Sequence, residues 1–108
     1  MATSKQFLAY VQDQCAGLEV RFRPMMGEYI LYYREKYAMA LCDNRLLVKD
    51  VPAARRLLPD ALPEPPYEGA KPMLPVACVE DRAKLAELLE AVYPELPLPK
   101  PRKVKKHD

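Results

Sequence analysis

The chain has no tryptophan, one histidine, three glycines and three cysteines in 108 residues. Each scarcity removes a class of function. The lone histidine, His107, stands next to the end in a basic stretch, so no Ser–His or Cys–His pair can form inside a folded body. Three dispersed glycines cannot build a phosphate-cradling loop. Cys15, Cys42 and Cys78 are odd in number, far apart and never in C-x-x-C spacing, which argues against a disulfide framework and against zinc. Their apolar neighbours make them small buried hydrophobes kept reduced. No apolar run approaches the ~20 residues of a membrane span, and Met1–Gln6 lacks a signal-peptide pattern. A cytoplasmic protein with no membrane contact is expected. The carboxylates Glu64, Glu68, Glu80, Asp81, Glu87 and Glu90 read as loop and helix-surface charges rather than an acid/base pair. No catalytic, cofactor-binding or metal residue is assigned; the chain is read as no enzyme, with no cofactor.

What is present is the material of one small folded domain. Half the residues are hydrophobic and 30% are charged, proportions that suit a packed core and not a disordered chain. A net charge of +2 conceals an asymmetry. Residues 100–108 carry five basic side chains and one acid, whereas residues 1–99 carry twelve basic and fourteen acidic ones. The positive excess therefore lies in a tail on a slightly acidic body.

Thr3 with Gln6 three residues on reads as a capping box for a first helix over 4–16, with Phe7, Leu8, Val11 and Cys15 on one face and Gly17 as its stop. From Leu18 the period changes to two, giving a strand that ends at Pro24. Further strands are predicted over 28–33, 37–42 and 46–48, joined by the turns Arg34-Glu35-Lys36 and Asp43-Asn44. The first of these turns lacks the Gly or Asn that tight hairpins favour, which leaves its register open. Links this short make the four strands an antiparallel meander. Asp50 is read as the cap of a short helix with Pro52 in its first turn, stopping before Pro59. A stiff proline-rich connector follows over 59–66; Tyr67 opens a brief strand, and 73–79 forms an edge strand because of Pro72 and Pro75. Asp81 caps the last helix, which places Leu85, Leu88, Leu89 and Val92 on one face and ends at Pro94. The fold class is α+β, in the order α-β(3–4)-α-β(2)-α: an antiparallel sheet of five to six strands with helices packed on it. Residues 1–94 form the domain; 95–108 form a Pro-rich basic C-terminal tail, extended or disordered and outside the core.

Two stretches go beyond fold class. Arg23-Pro24-Met25-Met26-Gly27-Glu28-Tyr29-Ile30-Leu31-Tyr32-Tyr33 and Gly69-Ala70-Lys71-Pro72-Met73 together resemble the motifs of the TfoX/Sxy N-terminal domain, found in bacterial competence regulators. Arg23, Met25, Gly27, Tyr29, Leu31, Tyr32, Gly69, Lys71 and Met73 match in type and order, and the resemblance spans roughly residues 4–94. The chain departs from the pattern at Met26, where an aromatic is usual, and at Glu28, where a second glycine is usual. The resemblance implies a free-standing, non-catalytic regulatory or interaction module that influences transcription through protein partners.

The residues themselves suggest where partners could bind. Arg23, between a strand end and a turn, is expected to bond backbone carbonyls or Glu28 near Gly27. Tyr29, Tyr32, Tyr33 and Tyr37 form an aromatic sheet region that serves as core or as a homodimer surface, or alternatively stacks nucleic-acid bases. Lys100, Arg102, Lys103, Lys105 and Lys106 form the speculative nucleic-acid contact, gripping phosphates weakly and without sequence preference.

Overall fold

A computed structural model describes residues 2–98. Helix α1 (Lys5–Gln14) leads into strands β1 (Val20–Met25), β2 (Glu28–Tyr33), β3 (Lys36–Cys42) and β4 (Arg45–Val48). Helix α2 (Pro52–Leu57), strand β5 (Leu74–Pro75), helix α3 (Arg82–Val92) and a short 3-10 turn (Tyr93–Glu95) complete the order. The five strands form one antiparallel sheet in the order β1-β2-β3-β4-β5. The expected α+β fold is thus the observed one.

Three hairpins build the meander, and each turns on two residues of positive φ: Met26 and Gly27 (51° and 86°), Arg34 and Glu35 (48° and 69°), Asp43 and Asn44 (54° and 58°). Paired left-handed residues match the right-handed twist of the flanking strands. Asp-Asn accepts this conformation readily; Arg-Glu does so at a cost of about 1–2 kcal/mol per residue. Neighbouring side chains hold the strained turn. The Arg34 backbone N–H donates to the Glu19 carbonyl at 2.9 Å, its guanidinium pairs with the Glu19 carboxylate at 2.8 Å, and Arg21 forks onto Glu35 at 2.8 and 3.2 Å. Register slips between Leu31 and Tyr32, so Tyr32 faces Tyr37 and one extra β3 residue is accommodated.

Alternation divides the sheet into two faces. One carries Leu31, Tyr33, Met39, Leu41, Leu46 and Val48 against Val11 and Cys15 of the α1 region and Leu85, Leu88, Leu89 and Val92 of α3. The other carries a smaller cluster of Ala40, Cys42 and Leu47, closed by Met73 and flanked by Tyr37. Its cover is not a helix but the chain from Glu64 to Met73, whose ends pair with each other through reciprocal N–H to carbonyl bonds of 2.9 Å. Arg45 clamps this strap: its guanidinium pairs with Glu64, donates to the Pro66 carbonyl at 3.0 Å and to the Cys42 carbonyl at 3.2 Å.

Several local expectations are corrected. Ser4, not Thr3, caps α1, accepting from the Phe7 N–H at 3.0 Å. Thr3 is buried instead and donates its hydroxyl to Glu28 at 2.6 Å. Asp50 does not cap α2, because both its oxygens are taken by Arg55 at 2.7 Å; the cap position is Val51, with no side-chain bond. Tyr67 opens no strand, and the strand predicted over 73–79 shrinks to Leu74–Pro75, since Pro72 before it and Pro75 within it limit the ladder. The body also runs past residue 94. Glu95 accepts from the Ala53 N–H at 2.7 Å, and Leu96 is 4% exposed within the main core, so the tail's first residues join the domain.

Candidate functional site

The sheet face covered by the strap holds the side chains with unspent chemistry. At one end lies the β1–β2 hairpin. Gly27 takes the left-handed conformation, and its backbone runs close under the N-terminus: the Thr3 N–H donates to the Gly27 carbonyl at 3.1 Å, and a Cβ on Gly27 would stand 3.4 Å from that of Ala2. Glu28 ties the same corner together, accepting from the Thr3 hydroxyl and from the Asp43 N–H at 3.1 Å. Beside this corner Ala2, Met25, Met26, Glu28 and Tyr67 wall a recess of about 450 Å³. Met26 is 97% exposed at its rim and Tyr67 is 50% exposed.

Tyr67 also lines a second recess of about 440 Å³, together with Tyr37, Lys49, Lys71, Met73 and Pro97. The Lys49 ammonium lies 4.1 Å from the centroid of the Tyr37 ring. Burial, with a smaller push from Lys71, holds the Lys49 pKa below the ordinary lysine value. Burial likewise pushes the Tyr37 hydroxyl up to about 12. A third recess, of about 520 Å³, lies on the helical side between Leu57, Leu58, Leu62, Pro75, Cys78 and Lys84. Its only thiol, Cys78, is raised in pKa by burial, the opposite of what an activated nucleophile needs. Among the described residues no three His, Cys, Asp or Glu side chains gather as a metal site requires, and no helix is long and apolar enough to cross a membrane.

The motif residues take different places. Leu31 is fully buried in the main core and Tyr29 packs against it. Met25 lines the hairpin recess and Lys71 and Met73 line the lysine recess; Gly27 forms the hairpin turn, and a Cβ on Gly69 in the strap would meet open space. Arg23 does not hold the Gly27 turn. It is exposed in mid-strand opposite Ile30, its guanidinium makes no hydrogen bond or ion pair among the described residues, and it lines none of the three recesses. The carboxylate expected to receive it, Glu28, is occupied by Thr3 and Asp43. Tyr33 is core, bonded through its hydroxyl to Glu90. Tyr32 lies under the Arg21 guanidinium at 4.5 Å. Cys15 and Cys42 are buried as expected, but Cys78 is only partly so. Lys100, Arg102, Lys103, Lys105 and Lys106 lie outside the described residues. Lys49 and Tyr67 escaped sequence reading: one follows a strand and the other a proline run, and only the folded strap brings them together.

No family model matches the chain, and no solved structure does. A curated relative does: it is 41% identical over 107 residues to an uncharacterised 12.7 kDa protein from the trpE 5′ region of Spirochaeta aurantia, a match covering 97% of this chain and 93% of the relative.

Proposed function

The chain belongs to the same family as the 12.7 kDa Spirochaeta aurantia protein; on the motif residues of its own sequence, we propose that it is a non-catalytic interaction module of the TfoX/Sxy N-terminal type. It works in the reducing cytoplasm and influences transcription through a protein partner held at the β1–β2 hairpin. The observation that carries this reading is Met26, almost wholly exposed on a left-handed turn beside Met25 and Tyr67. A hydrophobic side chain in a conformation that costs free energy contributes nothing to the fold there. An unbranched, polarisable thioether over a recess is well suited to adapt to a partner surface. A second copy of the chain is a poorer partner. The free edge of the sheet at β1 carries Pro24 and the exposed Arg21 and Arg23, features that discourage strand addition. Nucleic acid is poorer too, because the rings of Tyr32 and Tyr37 are already covered by Arg21 and Lys49.

The test is affinity capture from nuclease-treated native lysate, comparing wild type, Met26→Asp and the remote surface variant Arg56→Ala. A protein retained by wild type and Arg56→Ala but lost with Met26→Asp supports the reading. Capture unchanged by Met26→Asp, or no partner surviving nuclease, overturns it.

A further inference from the structure

The recess lined by Lys49 and Lys71 has a charge balance that the interaction reading does not use. Neither lysine forms an ion pair among the described residues. Two carboxylates also line it, Asp50 and Glu95, but both are committed elsewhere. Asp50 is held by the Arg55 fork at 2.7 Å. Glu95 accepts from the Ala53 N–H at 2.7 Å, with Arg56 3.9 Å from its second oxygen. The two ammonium groups are therefore left without a neutralising partner in one concave site. They are also close enough that Lys71 adds to the depression of the Lys49 pKa. Like charges drawn together in a half-buried cavity weaken the folded state unless an anion joins them.

We propose that the Lys49–Lys71 recess binds a small ring-bearing phosphate monoester. Two ammonium groups match the roughly two negative charges that such a phosphate carries at neutral pH. Tyr67, Met73, Val51 and the prolines supply apolar and aromatic walls for the ring. A volume of about 440 Å³ lies in the range of small-molecule pockets, about 300–1,000 Å³. The Gly69–Met73 motif thereby acquires a role for its lysine: it delivers the second cation from the strap to meet Lys49 at the end of β4. The site goes beyond the interaction reading, and its test does not depend on a protein partner.

Titration calorimetry with phenyl phosphate, inorganic phosphate and benzoate as probes, at low salt, tests the proposal. Phenyl phosphate is expected to bind at least tenfold more tightly than either other probe. Lys49→Met and Lys71→Met should each weaken it about tenfold, while thermal melts verify that both variants are folded. No heat of binding with phenyl phosphate at millimolar concentration overturns the proposal, as does affinity unchanged in the double variant. Equal affinity for inorganic phosphate removes the ring from it, and equal affinity for benzoate removes the second negative charge; either result overturns the ligand class stated here.

Discussion

On the helical side of the sheet, Leu31, Met39, Leu41 and Val48 meet Leu85, Leu88, Leu89 and Val92, and none of these side chains reaches water. On the other side, Ala40, Cys42 and Leu47 are met by a strap of irregular chain held by one guanidinium clamp, one pair of backbone bonds and Met73. Both faces exclude solvent, but they do so with different reserves. Side chains from two elements interlock over a wide area on the first face. The second face buries smaller side chains under a cover whose flanks carry a nearly free methionine and two lysines without an ion pair among the described residues. Stability is concentrated on one face, and adaptable chemistry on the other.

The three thiols measure that contrast directly, because one lies at each kind of location. Cys15 sits in the helical core, with its pKa pushed up to about 11 by burial. Cys42 lies under the strap, raised by burial and then by Glu28, and Cys78 is partly exposed. Native labelling with a thiol reagent should modify Cys78 first, Cys42 through local opening of the strap, and Cys15 only with global unfolding, with the extremes separated by several orders of magnitude on the order of the folding equilibrium constant. Equal rates for Cys42 and Cys15 would break the comparison, since both faces would then open as one unit.

A smaller effect comes from truncating one side chain on each side. Leu88→Ala leaves a cavity in the interlocked face and should cost about 2–5 kcal/mol in denaturant unfolding. Tyr67→Ala removes a half-exposed strap residue and should cost under about 1 kcal/mol. A Tyr67→Ala loss as large as that of Leu88→Ala would show the strap to be structural first.

The smallest effect concerns charge. The Lys49 pKa is lowered in the folded state relative to the unfolded chain, so protonation favours unfolding, and stability gains as pH rises through the folded value toward the ordinary lysine value. Lys49→Met should therefore raise the melting temperature slightly at neutral pH, and the advantage over wild type should shrink as pH approaches about 10.5. A melting temperature lowered by the substitution would mean that the lysine supports the fold through its contact with Tyr37.

The helical face was largely legible in the sequence, because periodicity speaks to packing. The spacing of Leu85, Leu88, Leu89 and Val92 located α3, and the aromatic and β-branched content of 28–33 located β2 with the bounds it has in the structure. Caps were less legible. Thr3 and Ser4 are both good candidates, and the choice depends on Glu28, twenty-five residues away, which claims Thr3. Asp50 likewise lost its cap role to Arg55. The candidate site was the least legible part. Lys71 and Met73 stood in a motif, but their partners Lys49, Tyr37 and Tyr67 share no period with them. Arg23 misled because proximity in sequence to Gly27 suggested contact, whereas strand pairing set it opposite Ile30.

From β1 to β4 the order of strands in space is their order in the chain, and each link is two residues long. Loop closure of that kind costs little entropy, whereas β5 joins β4 only after the chain has travelled through residues 49–73. The meander is thus the part of the molecule closed at least entropic cost, and the strap is the part whose closure costs more. Tyr67 of the strap lines both recesses, so each is completed only when the strap is seated on the sheet.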